Sequence, residues 1–245
     1  MSNTKTQTTP TINIKYPVRF DPKAHRYSDD RNESFTSVTS LVRMFANEDF
    51  EAKCEQMLSF NKEWKDIETT RYKMSGKWQK VKGNIIHSIV ENRLKYGYFP
   101  FGRNPNRAKF YKRLCTQLDA YPLLTRYFYR HMEIFIADSE RGYAGTIDLA
   151  CYDDELEAWI ISDWKTGKSI SKTGEGLMLY PFDSYPNSKE NQYRLQLSLY
   201  RRLLMNNGNH VSDIMYLSHI TPTGYVKMIP VTYMPEVDQL FQDSF

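Results

Sequence analysis

Asp163-Trp164-Lys165 stands at the end of the apolar run Ala158-Trp-Ile-Ile161. On a strand the side chains of Asp163 and Lys165 point the same way, because the period is two. A carboxylate and an ammonium side by side at a strand end can hold a metal ion and activate or position a water. Fifteen residues earlier, Gly145-Thr-Ile-Asp148 puts another carboxylate on the preceding predicted strand. If those strands pair as a hairpin, Asp148 and Asp163 can share one cation. A lone Asp-X-Lys is usually structural; its company in order along the chain singles this one out. Upstream, Gly83-Asn-Ile-Ile-His87 offers an imidazole on a helix. Downstream, Gln196-Leu-Ser-Leu-Tyr200 puts an amide and a phenol at i and i+4, on one helix face.

Such groups need elements to hold them. Ile85, Ile86, Ile89, Val90 and Leu94 fill one half of a helical wheel. That predicts an amphipathic helix from Lys80 to about Lys95, with Gly83, His87 and Glu91 along the edge of its apolar face. Three β-like runs, at Glu133–Ala137, Tyr143–Cys151 and Ala158–Lys165, are separated by short polar stretches. Lys189–Met205 is predicted to be helical, with Ser188 as its cap and Gly208 beyond its end. Asp213–Ile220 and Gly224–Tyr233 make a closing hairpin. Nearer the start, a polar turn within Phe20–Ser34 implies an early hairpin, and Ser37-Val-Thr-Ser40, with Ser and Thr as N-cap candidates, precedes a further helix. A loop over Phe99–Asn106 leads to a basic helix ending near Leu118, and Gly167–Asn187 reads as a mobile loop. The expected fold class is α/β, a mixed central β-sheet flanked by helices.

The chain has 245 residues, 40% hydrophobic and 25% charged, enough for one well-buried domain, or two small ones crowded together, after a flexible polar lead at 1–15. No stretch approaches the ~18 apolar residues of a membrane span, and the N-terminus lacks the apolar core of a secretory signal. Three scattered cysteines (Cys54, Cys115, Cys151) argue against a disulfide framework and for a reducing cytoplasm. The net charge of +4 hides an uneven layout. From Arg71 to Arg130 fourteen Lys/Arg face two acids, whereas from His131 to Asp163 nine acids face Arg141 alone. A basic block interleaved with aromatics suits a polyanion, and Lys109, Lys112 and Arg113 are its candidate phosphate contacts. An acidic block beside it supplies the carboxylates that a phosphodiester-cutting enzyme needs for a divalent metal.

Taken together, Gly-X-X-X-His, Gly-X-X-Asp, Asp-X-Lys and Gln-X-X-X-Tyr resemble, in order and spacing, the RecB-like exonuclease branch of the PD-(D/E)XK nuclease superfamily. The resemblance implies a restriction-endonuclease-like core within 80–233 and a single nuclease domain over 16–245. It implies that His87, Asp148 and Asp163 are metal ligands, with the Trp164 backbone carbonyl a further one. Lys165 would position or deprotonate the attacking water, and Gln196 and Tyr200 would orient Lys165 and the DNA backbone. Glu91 and Glu133 are further metal-ligand candidates, each with a salt bridge as the plainer alternative.

His25-Arg-Tyr27 followed by Ser37-Val-Thr39 is similar to phage exonucleases and to the mitochondrial genome maintenance exonuclease, in which the Ser/Thr segment contacts a phosphate. Ser37 and Thr39 are therefore candidate DNA contacts, and a helix start suits an anion; a routine cap is the plainer reading. Relatives with a four-cysteine iron–sulfur cluster carry three of its ligands after the Gln-X-X-X-Tyr helix. No cysteine follows Cys151 here, so none is expected, and the metal expected is Mg²⁺ or Mn²⁺. No phosphate-binding loop of the helicase type occurs, so any motor, or any recombination or replication partner, would be separate. The expected activity is DNA exonuclease, on single strands or duplex ends. An endonuclease or flap nuclease of the same fold, and a catalytically silent DNA-binding or assembly protein, are the alternatives.

Overall fold

The computed structural model describes residues 9–24, 26–46, 83–97 and 105–242. His25, Cys54, residues 71–82 of the basic block and the loop residues 99–104 lie outside the described residues. The first elements are β1 (Arg19–Asp21), β2 (Arg26–Ser28), β3 (Ser34–Ser37) and α1 (Val38–Phe45). Residues 83–96 form α2, followed by α3 (Pro105–Asp119) and α4 (Pro122–Arg126). Then come β4 (Arg130–Asp138), β5 (Tyr143–Asp153), β6 (Ala158–Thr166) and α5 (Lys189–Asn206). The last are β7 (Ile214–Ile220), β8 (Val226–Thr232) and a 3₁₀ helix (Pro235–Phe241). The eight strands make one sheet in the order β1-β2-β3-β5-β6-β7-β8, with β4 added on β5. The β3–β5 and β6–β7 pairs are parallel and the rest antiparallel, the mixed sheet expected from the sequence.

Both faces of the sheet are covered. On one, α1 and α5 pack Val38, Leu41, Leu195, Leu199 and Leu203 against Ile134, Ile147, Ile161 and Leu217. On the other, α2, α3 and α4 pack Ile89, Val90, Leu114, Leu118 and Leu123 against Leu149, Cys151, Ile160 and Ile220. A strand covered on both faces has no solvent side, so β6 is buried at every position from Ala158 to Trp164.

Several elements depart from expectation. Pro105 and Asn106 already belong to α3, because proline is tolerated in a helix's first turn, where its missing N–H would be unpaired anyway. The short α4 and the 3₁₀ helix each begin with proline and are too brief to leave a periodic pattern. The loop after β6 is anchored to α1 rather than mobile. Leu179 N donates to Phe45 O at 2.7 Å, Asn187 Nδ2 donates to Ala46 O at 2.5 Å, and Phe182 is fully buried against Phe45. Near the start, Lys15 N donates to Asn207 Oδ1 at 2.6 Å and Asn13 N to Asn209 Oδ1 at 2.8 Å.

The sheet branches at β5. One edge pairs with β4; the other pairs first with β3, through Tyr143 and Ala144, and then with β6, from Leu149 onward. Between these stretches, residues 145–148 on that edge have no strand partner among the described residues. Gly145 lies in this gap because Tyr200 fills the space beside it: a Cβ there would stand 2.5 Å from Tyr200 Cε1 and 3.2 Å from Val38 Cγ2. Gly145→Ala should therefore destabilise the fold by about 1–3 kcal/mol in urea titrations, as overpacking does. Most of that loss should vanish in a Tyr200→Ala background, where the obstructing ring is absent.

Candidate active site

Asp148 and Asp163 would be the next cross-strand pair after Leu149 and Ser162, but the ladder stops one step short of them. The Trp164 N–H donates instead to Asp148 Oδ2 at 2.7 Å, so a carboxylate bridges the strands where backbone pairing fails. The same level is interrupted on the far edge of β5. Met132 pairs with Leu149 and Ile134 with Ile147, yet Glu133 and Asp148 between them are unpaired, and Glu133 has φ 51°. That left-handed conformation is costly for a residue with a long side chain. Residues two apart on a regular strand share a face. Here Met132 and Leu149 pack under α2 and α3, whereas Ile134 and Ile147 pack under α5. Both strands therefore change face at Glu133 and Asp148, and three acids from three adjacent strands stand at one level.

Helix α5 fixes the Asp163 side. Ser188 caps it by accepting from Asn191 N, and its buried face brings Gln196 and Tyr200 over β6. Gln196 Nε2 donates to Asp163 Oδ1 at 3.3 Å and to the Tyr200 hydroxyl at 3.0 Å, while Gln196 Oε1 accepts from Lys165 Nζ at 2.8 Å. Lys165 Nζ also lies 2.5 Å from Asp163 Oδ2. Burial works against the Lys165 ammonium, but Asp163 and then Asp148 outweigh it and raise its pKa. Burial, and then the Asp163 charge, hold the Asp148 carboxyl well above the usual carboxylate range. Burial likewise keeps the Tyr200 phenol protonated.

Helix α2 approaches from the opposite face. His87 Nδ1 lies 3.6 Å from Asp148 Oδ2, and its ring interacts with the Trp164 backbone carbonyl. Burial lowers the His87 pKa, which favours the neutral, ligating form. Glu91, one turn further, pairs with Lys95 at 2.5 Å. Glu133 is pushed up to about 7 by burial, then by the Asp148 and Glu91 charges.

His87, Asp148, Asp163 and the Trp164 carbonyl thus meet at the gap, but not within one coordination sphere. Among the described residues no three His, Cys, Asp or Glu side chains are close enough to hold a metal ion. The oxygens are occupied by the protein's own groups: Trp164 N–H at Asp148 and the Lys165 ammonium at Asp163. The donor chemistry nonetheless fits a hard divalent cation. Asp163 Oδ2 is buried without a hydrogen bond of good angle, despite the nearby ammonium, and two buried carboxylates face each other with too little positive charge between them.

The remaining sequence candidates are more dispersed. Ser37 is the N-cap of α1, accepting from Ser40 N at 3.1 Å and bonding the Thr39 hydroxyl at 3.0 Å. Its backbone pairs with Ala144, which sets this helix start across the gap from β6. Lys109 and Lys112 are exposed on α3. Arg113 is engaged, donating to Thr223 O at 3.1 Å and stacking over Tyr225 at 4.7 Å. Further groups at the gap came from no active-site reading of the sequence. The Tyr27 hydroxyl bonds the Thr146 hydroxyl at 2.8 Å, and Tyr193 places its ring 4.5 Å from Lys165 Nζ. Behind β6, the Tyr121, Ser218 and Ser162 hydroxyls form a buried chain, and the Tyr121 ring packs on Trp164. The partners are distant in sequence; only the lone Tyr27, in the His-X-Tyr segment, carried any signal.

No protein-family model matches the chain, and no curated protein matches it. Among solved structures it is similar to SSO0001, with a TM-score of 0.36 and 16% identity, over 84% of this chain and 71% of that one. It is similar to a protein of Eubacterium rectale with a provisional exonuclease assignment, with a TM-score of 0.40 and 12% identity, over 66% of this chain and 62% of that one. The match thus spans less than two thirds of the Eubacterium rectale protein's length. A phage related exonuclease from Haemophilus somnus 129PT matches with a TM-score of 0.31 and 11% identity, over 64% of this chain and 74% of that one.

Proposed function

We propose that this chain is a metal-dependent deoxyribonuclease with a PD-(D/E)XK core, of the RecB-like exonuclease kind, acting on single strands or duplex ends. The observation that carries the reading is a convergence at the sheet's gap. Asp148 and Asp163 stand at one level on paired strands, and Gln196 bonds both Asp163 and the Lys165 ammonium. A phage enzyme working in the host cytoplasm beside a separate helicase or recombination partner is the setting this reading implies.

Asp148, Asp163, His87 and the Trp164 carbonyl would hold Mg²⁺ or Mn²⁺. The ion when bound makes water a stronger nucleophile and offsets charge on the phosphate. Lys165, whose pKa the two aspartates raise in the metal-free chain, would position the attacking water and act as a donor. Its Nζ donates to a phosphate oxygen as charge builds there, and Gln196 holds it in line. The water oxygen would bond to phosphorus and give up a proton to solvent as the bond to the departing sugar oxygen breaks; the sugar oxygen would take a proton from solvent, and the phosphate would stay on the other fragment.

Incubating linear, closed circular and single-stranded DNA with Mg²⁺, Mn²⁺ or EDTA tests the reading. Metal-dependent loss of linear DNA alone supports an exonuclease, and cutting of the closed circle marks an endonuclease. Retention of intact DNA in every lane leaves a binding protein.

In that assay Lys165→Ala should lower kcat by about 100-fold or more, as removal of one transition-state donor does, with DNA affinity little changed. A variant that keeps most of its turnover removes Lys165 from the mechanism. Metal binding can be read without turnover. At about 100 times its Kd, Mn²⁺ should stabilise the fold by about 2.7 kcal/mol, or about 5–10 °C in Tm. Asp148→Asn and Asp163→Asn should abolish that rise, and His87→Ala should reduce it. Asp148→Asn should also raise the Tm of the metal-free protein at neutral pH, because it removes a buried charge. Asp163→Asn should not, because it strips Lys165 of its partner. For nucleic-acid binding, Lys109→Gln and Lys112→Gln should each lower the slope of log K against log salt by about 0.7 on single strands. Unchanged slopes would make this face of α3 merely solvated.

A further inference from the structure

We propose that Tyr193 is a positioning residue for Lys165, holding its ammonium by the face of the aromatic ring; the inference rests on the nuclease reading above. A lysine ammonium has three N–H donors and no acceptor. One N–H donates to Gln196 Oε1 at 2.8 Å, and Asp163 Oδ2 stands 2.5 Å from Nζ as an ion-pair partner without hydrogen-bond geometry. The same ammonium lies over the Tyr193 ring, 4.5 Å from its centroid. Tyr193 precedes Gln196 by three residues on α5, so the two share the helix face that looks onto β6. The ring packs against the core beneath α5, which fixes its orientation.

Two physical arguments favour a functional role over incidental packing. The Lys165 side chain is only 16% exposed, and desolvation strengthens a cation–ring contact. The ring also attracts a cation without offering a localised lone pair. A phosphate oxygen or a water brought beside Lys165 therefore displaces it more readily than it displaces the carboxylate or the amide. The ring thus steadies the side of the ammonium that neither the carboxylate nor the amide holds, with a contact weaker than either. None of the four motif segments includes Tyr193.

The test uses the full chain with Tyr193→Phe, which keeps the ring face, and with Tyr193→Leu and Tyr193→Met, which remove it. Met guards against a packing failure in the Leu variant, and thermal melts confirm folding. By the strength of a desolvated cation–ring contact, kcat should fall about tenfold or more in the Leu and Met variants, with KM within about twofold of wild type. The Phe variant should match wild type. A second readout needs no turnover: the ring should shift the NMR signals of the Lys165 ε-CH₂ protons upfield in wild type and the Phe variant, and not in the others. Wild-type kcat in the Leu and Met variants overturns the proposal and leaves the nuclease reading intact. A Phe variant as impaired as Leu also overturns it, because the hydroxyl rather than the ring face would then matter. Wild type that shows the NMR shift but cleaves no DNA removes the nuclease reading, and the positioning role with it.

Discussion

β5 has two edges and three strands to bond, so β3 and β6 must share one edge and part of it goes unpaired. Unpaired backbone inside a protein is expensive unless something else satisfies it. The Asp148 carboxylate takes the Trp164 N–H, and the Tyr200 ring occupies the space beside Gly145. Side chains thus complete the sheet where main chain cannot. The same opening lets two helices on opposite faces reach one place: His87 comes from α2, and Gln196 with Tyr200 from α5.

Charge follows from that geometry. Two carboxylates drawn into a low-dielectric gap disfavour each other's ionisation, and among the described residues the Lys165 charge and the Trp164 N–H offset them in part. Glu133 extends the imbalance to β4, where burial and the acids around it keep its carboxyl half-protonated near neutrality. An arrangement that folds with its acids poorly compensated gives up stability at this point of the sheet. The left-handed backbone at Glu133 adds local strain at the same level of the sheet.

Much of this was legible in the sequence, for identifiable reasons. Strand periodicity alone puts Asp163 and Lys165 on one face, and helical periodicity puts Gln196 beside Tyr200. The apolar stripe of α2, apart from the exposed Ile85, and the caps Ser37 and Ser188 were readable because each is local. What stayed hidden depends on contacts between distant segments. Nothing around Gly145 tells that a ring from a helix some fifty residues on will lie against it. The Tyr121–Ser218–Ser162 chain, the Tyr27–Thr146 bond and the Tyr193 contact are of the same kind. Arg113 shows the converse: a basic helix suggests free cations, but a tertiary partner claims this one. The anchored loop after β6 misled because its Gly, Ser and Pro content describes the local chain, not the helix that receives it.

The change of face shared by β4 and β5 has a consequence for how firmly the acids are aligned. In an ordinary antiparallel pair, sliding one strand by a single residue turns every apolar side chain outward, so burial forbids it. Sliding by two preserves the alternation, and burial alone forbids it only weakly. Here the crossover at Glu133 must meet the crossover at Asp148. A two-residue slip would set an inverted stretch of one strand against an upright stretch of the other and misplace Met132 or Ile134. The kink that brings the acids to one level is therefore also what keeps the two strands from drifting out of step, as a tooth keeps a ratchet from advancing.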